Sequence, residues 1–485
     1  MKRTLVGLVC LLQVYAFGAA TVFADRPNIV FMLSDDQGWN GTSVQMHPSV
    51  NESKSKQYRT PNLGKLASQG MRFSQGYSPA PVCSPTRISL QTGKSPAQLH
   101  WTKAAPPVEG MKLTEPKLIK SIAREEATIA ELLRSSGYAT AHYGKWHISG
   151  GGPGEHGYDE HDGDTGNENA FKFVDPNPVD IFGMADRAKQ FMAKSKASGK
   201  PFFIQLSWNA LHAAENASNS ALEKYKQQMS GANDKAIATA AITEDLDRGV
   251  GQVMSAIDQL GLAESTFVIY MSDNGAGGGG AGGGGNVGGR RAGLRGGKGG
   301  VWEGGLRVPL IVRGPGVASN SWCHVPVVGY DLFPTFCQWA GIPANKLPNN
   351  IEGGSIGDLL SHNGQGDVHR KFPGLVFHFP HYQGESPQSS ILMGNLKLVH
   401  FYEDNTDSLF DLSQDISEHN DLAKSKSQET VKLRKQLEAY LAAVDAQLPT
   451  LNPNFDPKSQ PSTQEMRGKR GSGGGGQNNK PKNKG

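Results

Sequence analysis

The sequence predicts an α/β protein: a large mixed sheet, mostly parallel and covered by helices on both faces, with a smaller C-terminal antiparallel sheet and helix packed on it. Three observations predict it. Short continuous apolar runs, as in strands buried on both faces, alternate with segments of helical period. After about Gln365 the strand-like runs become shorter and follow one another closely before a final helix. Polar and charged residues able to ligate ions or move protons stand just past several apolar runs, where ligands gather in open parallel sheets.

In chain order, Pro27 to Ser34 is the first buried strand, and it ends in Asp35-Asp36. Thr60-Pro61-Asn62-Leu63 opens a helix running to Gly70, with Thr60 as capping residue and proline in the first turn. Glu126 to Ser136 is an amphipathic helix, and Tyr138 to Tyr143 a short strand leading into Gly144-Lys145-Trp146-His147. Pro201 to Ser207 is a strand followed by Asn209-Ala210-Leu211-His212. Ala236 to Leu260 reads as a long helix, and Thr266 to Met271 as a strand ending before Asp273-Asn274. Gly275 to Gly300 is so rich in glycine that a mobile loop beside the site is expected. Leu375 to Phe379, Ile391 to Phe401 and Ser408 to Leu412 form the smaller sheet, with a helix from Glu429 to Val444.

These elements divide the chain into residues 1–24, 25–365, 366–456 and 457–485. The first segment has a basic start, an apolar stretch from Leu5 to Phe17 and Val22-Phe23-Ala24 as cleavage site. It reads as a secretory signal peptide, so export to a periplasm or the cell exterior is expected, with no membrane span after cleavage. The last segment, with Arg467-Gly468-Lys469-Arg470 and Lys480, Lys482 and Lys484 among glycine and asparagine, reads as a disordered basic tail. At a formal charge of only +4 over 485 residues, no nucleic-acid footprint is implied. Of four cysteines, Cys10 leaves with the signal; Cys323 and Cys337 are a disulfide or two buried thiols, and Cys83 stands apart.

Asp35, Asp36, Asp273 and Asn274 offer hard oxygen ligands from the ends of two strands, which suits calcium or magnesium rather than zinc. Singly, Asp-Asp can be a helix cap, and Ser272-Asp273-Asn274-Gly275 a turn. Lys145, His147 and Lys298 can likewise be solvated surface residues.

The ordered set narrows the choice. Cys83-Ser84-Pro85-Thr86-Arg87 followed by Leu90-Gln91-Thr92-Gly93 resembles the signature of type I, formylglycine-dependent sulfatases, arylsulfatase-like members of the alkaline phosphatase superfamily. Pro27 through Asp36, Thr60 to Leu63, Gly144 to His147 and Ser272 to Gly275 resemble further family blocks. So do Leu294 to Gly299, Glu303 to Pro309 and Asp331 to Thr335, and the likeness spans roughly residues 26 to 445. Departures are Thr86 in place of serine, Gly64 in place of aspartate, and Leu211 in place of the proline before His212.

The resemblance implies a sulfatase-like fold and hydrolysis of sulfate monoesters, with a sulfated small molecule or saccharide as substrate. A formylglycine-generating maturation enzyme would convert Cys83 to formylglycine, whose hydrate ligates one Ca2+ (Mg2+ possible) and attacks sulfur. Asp35, Asp36, Asp273 and Asn274 would hold the ion, and Arg87 would stabilise the hydrate. Lys145 and Lys298 would bind sulfate oxygens, and Lys298 or His212 would protonate the leaving oxygen. His147 would remove the second hydroxyl proton. His378 and His381 are candidates to line the alcohol subsite. The rival readings are a phosphate or phosphonate ester hydrolase of the same superfamily and a non-catalytic sulfated-glycan binder.

Overall fold

The structure, a computed structural model, describes residues 26–171, 174–212, 216–277, 293–383, 385–459 and 461. The expected signal peptide and nearly all of the basic tail, together with 278–292 of the glycine loop, lie outside the described residues.

The large sheet is built from β1 (Asn28–Ser34), β2 (Met71–Phe73), β3 (Ala139–Gly144), β4 (Glu160–His161), β5 (Phe202–Ser207), β6 (Thr266–Ser272), β7 (Leu310–Arg313) and β8 (Ser321–Cys323). Their order across the sheet is β8-β2-β7-β6-β1-β5-β3-β4. Only β7 runs antiparallel to its neighbours, so the sheet is mixed and mostly parallel. Helices α1 (Pro61–Ser68), α2 (Cys83–Thr92), α3 (Ile129–Ser135), α4 (Ile181–Ala197), α5 (Asn219–Gln228) and α6 (Asp234–Gln259) lie in the first part of the chain. They are followed by α7 (Glu303–Leu306), α8 (Leu332–Trp339), α9 (Gly357–Ser361) and α10 (Ser427–Ala443).

Side-chain alternation in β1 explains the two layers. Val30 and Met32 join a core with α1, α4, α5 and α6, whereas Ile29, Phe31 and Leu33 join a core with α2, α3 and α8. Both faces are therefore apolar, and β1 reads as an unbroken run for that reason. The C-terminal strands β9 (Leu375–Phe379), β10 (Gln388–Met393), β11 (Leu396–Phe401) and β12 (Thr406–Asp411) form an antiparallel meander, and α10 covers one face.

Two expectations need correction. Ile391 to Phe401 is not one strand: Gly394 adopts φ +57 and, with Asn395, makes a tight turn between paired Met393 and Leu396. Thr60 does not cap α1 with its side chain. Its hydroxyl instead accepts from the Ser43 amide, and the free amides of Asn62 and Leu63 donate to Asp247 of α6. Cys323 and Cys337 are separate buried thiols, not a disulfide. No helix among the described residues is long and apolar enough to cross a membrane.

The C-terminal sheet is tied to α7 by a buried ion network. Lys397 of β11 reaches Glu303 Oε1 and Glu418 Oε1, each at 2.8 Å, and Glu303 also accepts from Arg307 at 2.6 Å. The side chains of Lys397, Glu303 and Glu418 are fully buried. Removing the ammonium leaves Glu303 with Arg307 alone and takes from Glu418 its buried cationic partner. Lys397→Met is therefore expected to lower unfolding free energy by roughly 3–5 kcal/mol in a denaturant titration.

Candidate functional site

The carboxyl ends of β1, β3, β5 and β6 converge on one buried cluster. Asp35 and Asp36 follow β1, Asp273 and Asn274 follow β6, Lys145 follows β3, and His212 lies on the turn after β5. Gly144 makes the exit of β3 possible. It adopts φ +91, and a Cβ there would sit 2.2 Å from the Ser207 carbonyl oxygen. Asp36 and His147 also adopt left-handed backbone, at φ +59 and +60, which costs about 1–3 kcal/mol for each such residue.

Cys83 is the first residue of α2, and Val82 before it supplies no side-chain cap. Residue 83 thus opens the helix, whose positive dipole end is a favourable setting for negative charge. Every residue of α2 is buried, and the helix ends at Gly93 in the left-handed conformation. Burial pushes the Cys83 thiol up to about 11, so the unmodified thiol stays protonated and is a weak nucleophile at neutral pH.

Three cationic side chains meet the carboxylates. Lys298 Nζ lies 2.5 Å from Asp36 Oδ1 and 3.2 Å from Cys83 Sγ. Lys145 Nζ donates to Asp35 Oδ2 at 2.5 Å. Arg87 donates twice to Asp273 Oδ2, at 3.1 and 2.7 Å, and once to the Lys145 carbonyl at 2.6 Å. Burial would push Asp35 up, but Lys145, His212, Arg87 and Lys298 outweigh it and hold its carboxyl well below the usual range. Asp273 is pushed up to about 6 by burial and the nearby Asp35, against the pull of Arg87. Burial opposes charge on Lys298, yet Asp36 and its neighbours keep it protonated.

The two histidines differ. His147 Nδ1 lies 3.2 Å from Ser84 Oγ, which leaves Nε2 as the nitrogen open to chemistry. Burial, then Lys145 and Arg87, hold its pKa well below 6.5, so it stands neutral. His212 Nδ1 is buried and has no hydrogen-bond partner among the described residues.

The residues present fit a hard divalent cation. One ligand atom each from Asp35, Asp36 and Cys83 lies within 4.8 Å of the others. Asp35 Oδ1 and Asn274 Oδ1 are buried oxygens with no hydrogen-bond partner among the described residues, an arrangement expensive to keep unless something positive binds there. An all-oxygen set of carboxylates and an amide suits Ca2+ or Mg2+. Asp273 is partly committed: Oδ2 is held by Arg87, and Oδ1 accepts from the Asp36 amide at 3.2 Å.

All sequence-predicted groups except two thus meet here. His378 and His381 are held elsewhere. His378 bonds Ser389 Oγ and the Gln447 carbonyl through its two ring nitrogens, and His381 bonds Thr102 Oγ1 and Glu115 Oε2. With both nitrogens engaged inside the fold, neither has a donor or acceptor left for an alcohol group. Ser84 was missed by sequence reasoning, because it occupies the open position of Cys-x-Pro-x-Arg; only folding brings it to His147. The 840 Å³ cavity lined by Arg26, Trp339 and Lys346 sits at the amino end of β1, opposite this chemistry.

Residues 27–342 match the family model Sulfatase, and residues 297–447 match that for the N-sulphoglucosamine sulphohydrolase C-terminal region. The chain is 27% identical to arylsulfatase A of Homo sapiens over 496 residues, covering 89% of this chain and 90% of that one. It is 30% identical to N-acetylgalactosamine-6-sulfatase of Mus musculus over 378 residues, covering 70% and 68%. A solved structure of Ps i-CgsB in complex with k-i-k-neocarrahexaose shares the fold at a TM-score of 0.72 and 24% identity, covering 89% and 96%. With the match to Sulfatase running from β1 through the whole of the large sheet, the chain belongs to the sulfatase family and is a sulfuric ester hydrolase.

Proposed function

We propose that this protein is an exported, formylglycine-dependent sulfatase of arylsulfatase type that removes sulfate from a saccharide, using one Ca2+ or, alternatively, Mg2+. The observation that carries the proposal is the pair of unpartnered buried oxygens, Asp35 Oδ1 and Asn274 Oδ1, in the cluster where Cys83 touches Lys298. Similarity to an N-acetylgalactosamine-6-sulfatase supports a sulfated saccharide as substrate. Residues 1–24 support export, and a formylglycine-generating enzyme is the partner that maturation would need.

Asp35, Asp36, Asp273 and Asn274 would hold the cation. Bound there, it would draw charge from the sulfate group, while formylglycine at residue 83 would supply an oxygen nucleophile. Lys145 and Lys298 place two ammonium groups against the anionic oxygens of the ester, offsetting the repulsion that makes sulfate esters hard to attack. Arg87 fixes Asp273 and the Lys145 backbone, so that both strand ends keep their spacing. His212 or Lys298 delivers a proton to the departing alcohol oxygen. His147 Nε2 would take a proton from an oxygen carried at residue 83 once it is converted, and Ser84 on Nδ1 would set the ring for that transfer.

Mature protein should hydrolyse 4-nitrophenyl sulfate and a 6-sulfated N-acetylgalactosamine, with turnover abolished by a chelator and restored by Ca2+. The same chelation should lower thermal stability, by about 2.7 kcal/mol if the starting cation is at a hundredfold excess over its Kd. Full turnover after chelation, with an unchanged melting midpoint, would sink the proposal.

Ser84→Ala should leave KM nearly unchanged and lower kcat about tenfold, by analogy with the loss of an outer-shell hydrogen bond that orients a functional histidine. Steady-state kinetics on the aryl sulfate checks it; equal losses in kcat and in cation affinity would point to a disturbed metal site instead.

A further inference from the structure

A second group of side chains lies near one edge of the large sheet, outside the catalytic cluster. Arg72 of β2 and Trp322 of β8 are register partners, and the Arg72 guanidinium carbon lies over the indole, 4.0 Å from its centroid. His324, two residues on, stacks parallel to Trp322 with ring centroids 6.3 Å apart. His47 follows at 6.1 Å from His324, and Trp39 at 6.2 Å from His47. Trp39 stands three residues after Asp36, so the row runs from the catalytic cluster towards the edge of the sheet. β2 and β8 run in the direction of β1 and β6, because β7 between them is antiparallel to both sides. Their carboxyl ends therefore point the same way as those of the catalytic strands. With strands about 4.8 Å apart, β2 stands roughly 10 Å from β6 and β8 roughly 15 Å.

Arg72 is the anomaly in this row. Its one hydrogen bond among the described residues runs from Nη2 to Asn320 Oδ1 at 2.5 Å, and its buried Nε has no partner. No carboxylate pairs with it among the described residues, and burial alone acts on its basicity. Every other deeply placed arginine described above, Arg87 and Arg307, is tied to an acid. A half-buried guanidinium with spare N–H groups, braced on an aromatic ring, is a receptor for a planar or tetrahedral oxyanion. The imidazole of His324 is exposed beside it and adds a second polar contact, its Nδ1 already fixed by Ser74 Oγ at 2.8 Å.

We propose that Arg72, Trp322 and His324 form a distal subsite that binds a sulfate group on a neighbouring unit of an extended sulfated saccharide, while another unit occupies the catalytic cluster. The inference rests on the sulfated-saccharide reading above and adds to it that the substrate is longer than one sugar. No covalent step is involved; the subsite holds the chain and biases the enzyme towards oligomers.

The test uses full-length protein, with dextran sulfate as probe and neutral dextran as control. Arg72→Gln and, separately, His324→Ala should each weaken the Kd for dextran sulfate about tenfold. In the unaltered protein, dextran sulfate but not dextran should shield Trp322 from hydroxyl-radical labelling. Far-UV circular dichroism and the melting midpoint report folding. Should Arg72→Gln fail to fold, the exposed His324 carries the test. Affinities within about twofold of the unaltered protein for both variants, or Trp322 labelled equally with and without dextran sulfate, would overturn the proposal. The polyanion would then be held by the catalytic cluster or the basic C-terminal segment. Dextran sulfate binding at Trp322 by protein that turns over no sulfate ester would support the subsite and reject the catalytic reading, so the two failures are distinct.

Discussion

The structure depends on a balance of buried charge at the carboxyl end of the central strands. Lys145 against Asp35, Lys298 against Asp36 and Arg87 against Asp273 are three ion pairs, all largely or wholly removed from solvent. Such pairs do not stabilise a fold by themselves, since desolvating both partners costs about as much as their attraction returns. Their value lies in what they prepare. Each cation is already dehydrated and fixed, and each carboxylate is already ionised or poised close to ionisation, before any substrate arrives. In the proposed mechanism an incoming sulfate ester would meet ammonium groups that need no reorganisation, the condition under which electrostatic stabilisation is largest.

That balance explains why the surrounding backbone is so constrained. β1 and β6 pair in register from Asn28↔Thr266 to Ser34↔Ser272, which sets Asp35 and Asp273 side by side. The Asp273 amide then donates to the Ser34 carbonyl at 3.0 Å, and the Asp36 amide returns a bond to Asp273 Oδ1. Lys298 comes from a loop held by backbone bonds to Ala276 and Pro81, so its ammonium is placed by main chain rather than by a flexible stem alone. The C-terminal sheet, tied to α7 through Lys397 and Glu303, buttresses the segment that follows this loop.

Much of this was legible in the sequence because the controlling signals are local. An apolar run followed by Asp-Asp or by Asp-Asn states both a strand and the residues at its end, and β1 and β6 fall within a residue of expectation. Long amphipathic segments such as α6 and α10 were equally readable. What failed depends on partners far away in the chain. Thr60 carries a capping residue's chemistry, but Asp247, 187 positions later in the sequence, took that role once α6 packed on α1. His378 and His381 have the composition of a subsite, yet Ser389, Gln447, Thr102 and Glu115 claim their nitrogens. Ser84 needed the opposite inference, an unremarkable residue made functional by the placement of His147. The turn at Gly394-Asn395 is the exception, a local signal that the apolar residues around it obscured.

The central claim is that residue 83 is the nucleophile's carrier and is not the cysteine that the gene encodes. Peptide mass spectrometry on protein co-expressed with a formylglycine-generating enzyme tests it most directly. The account predicts that the peptide bearing residue 83 loses the mass that separates a thiol from an aldehyde, and that only the converted fraction releases sulfate. A peptide that keeps its thiol, beside a control sulfatase converted in the same cells, would contradict it.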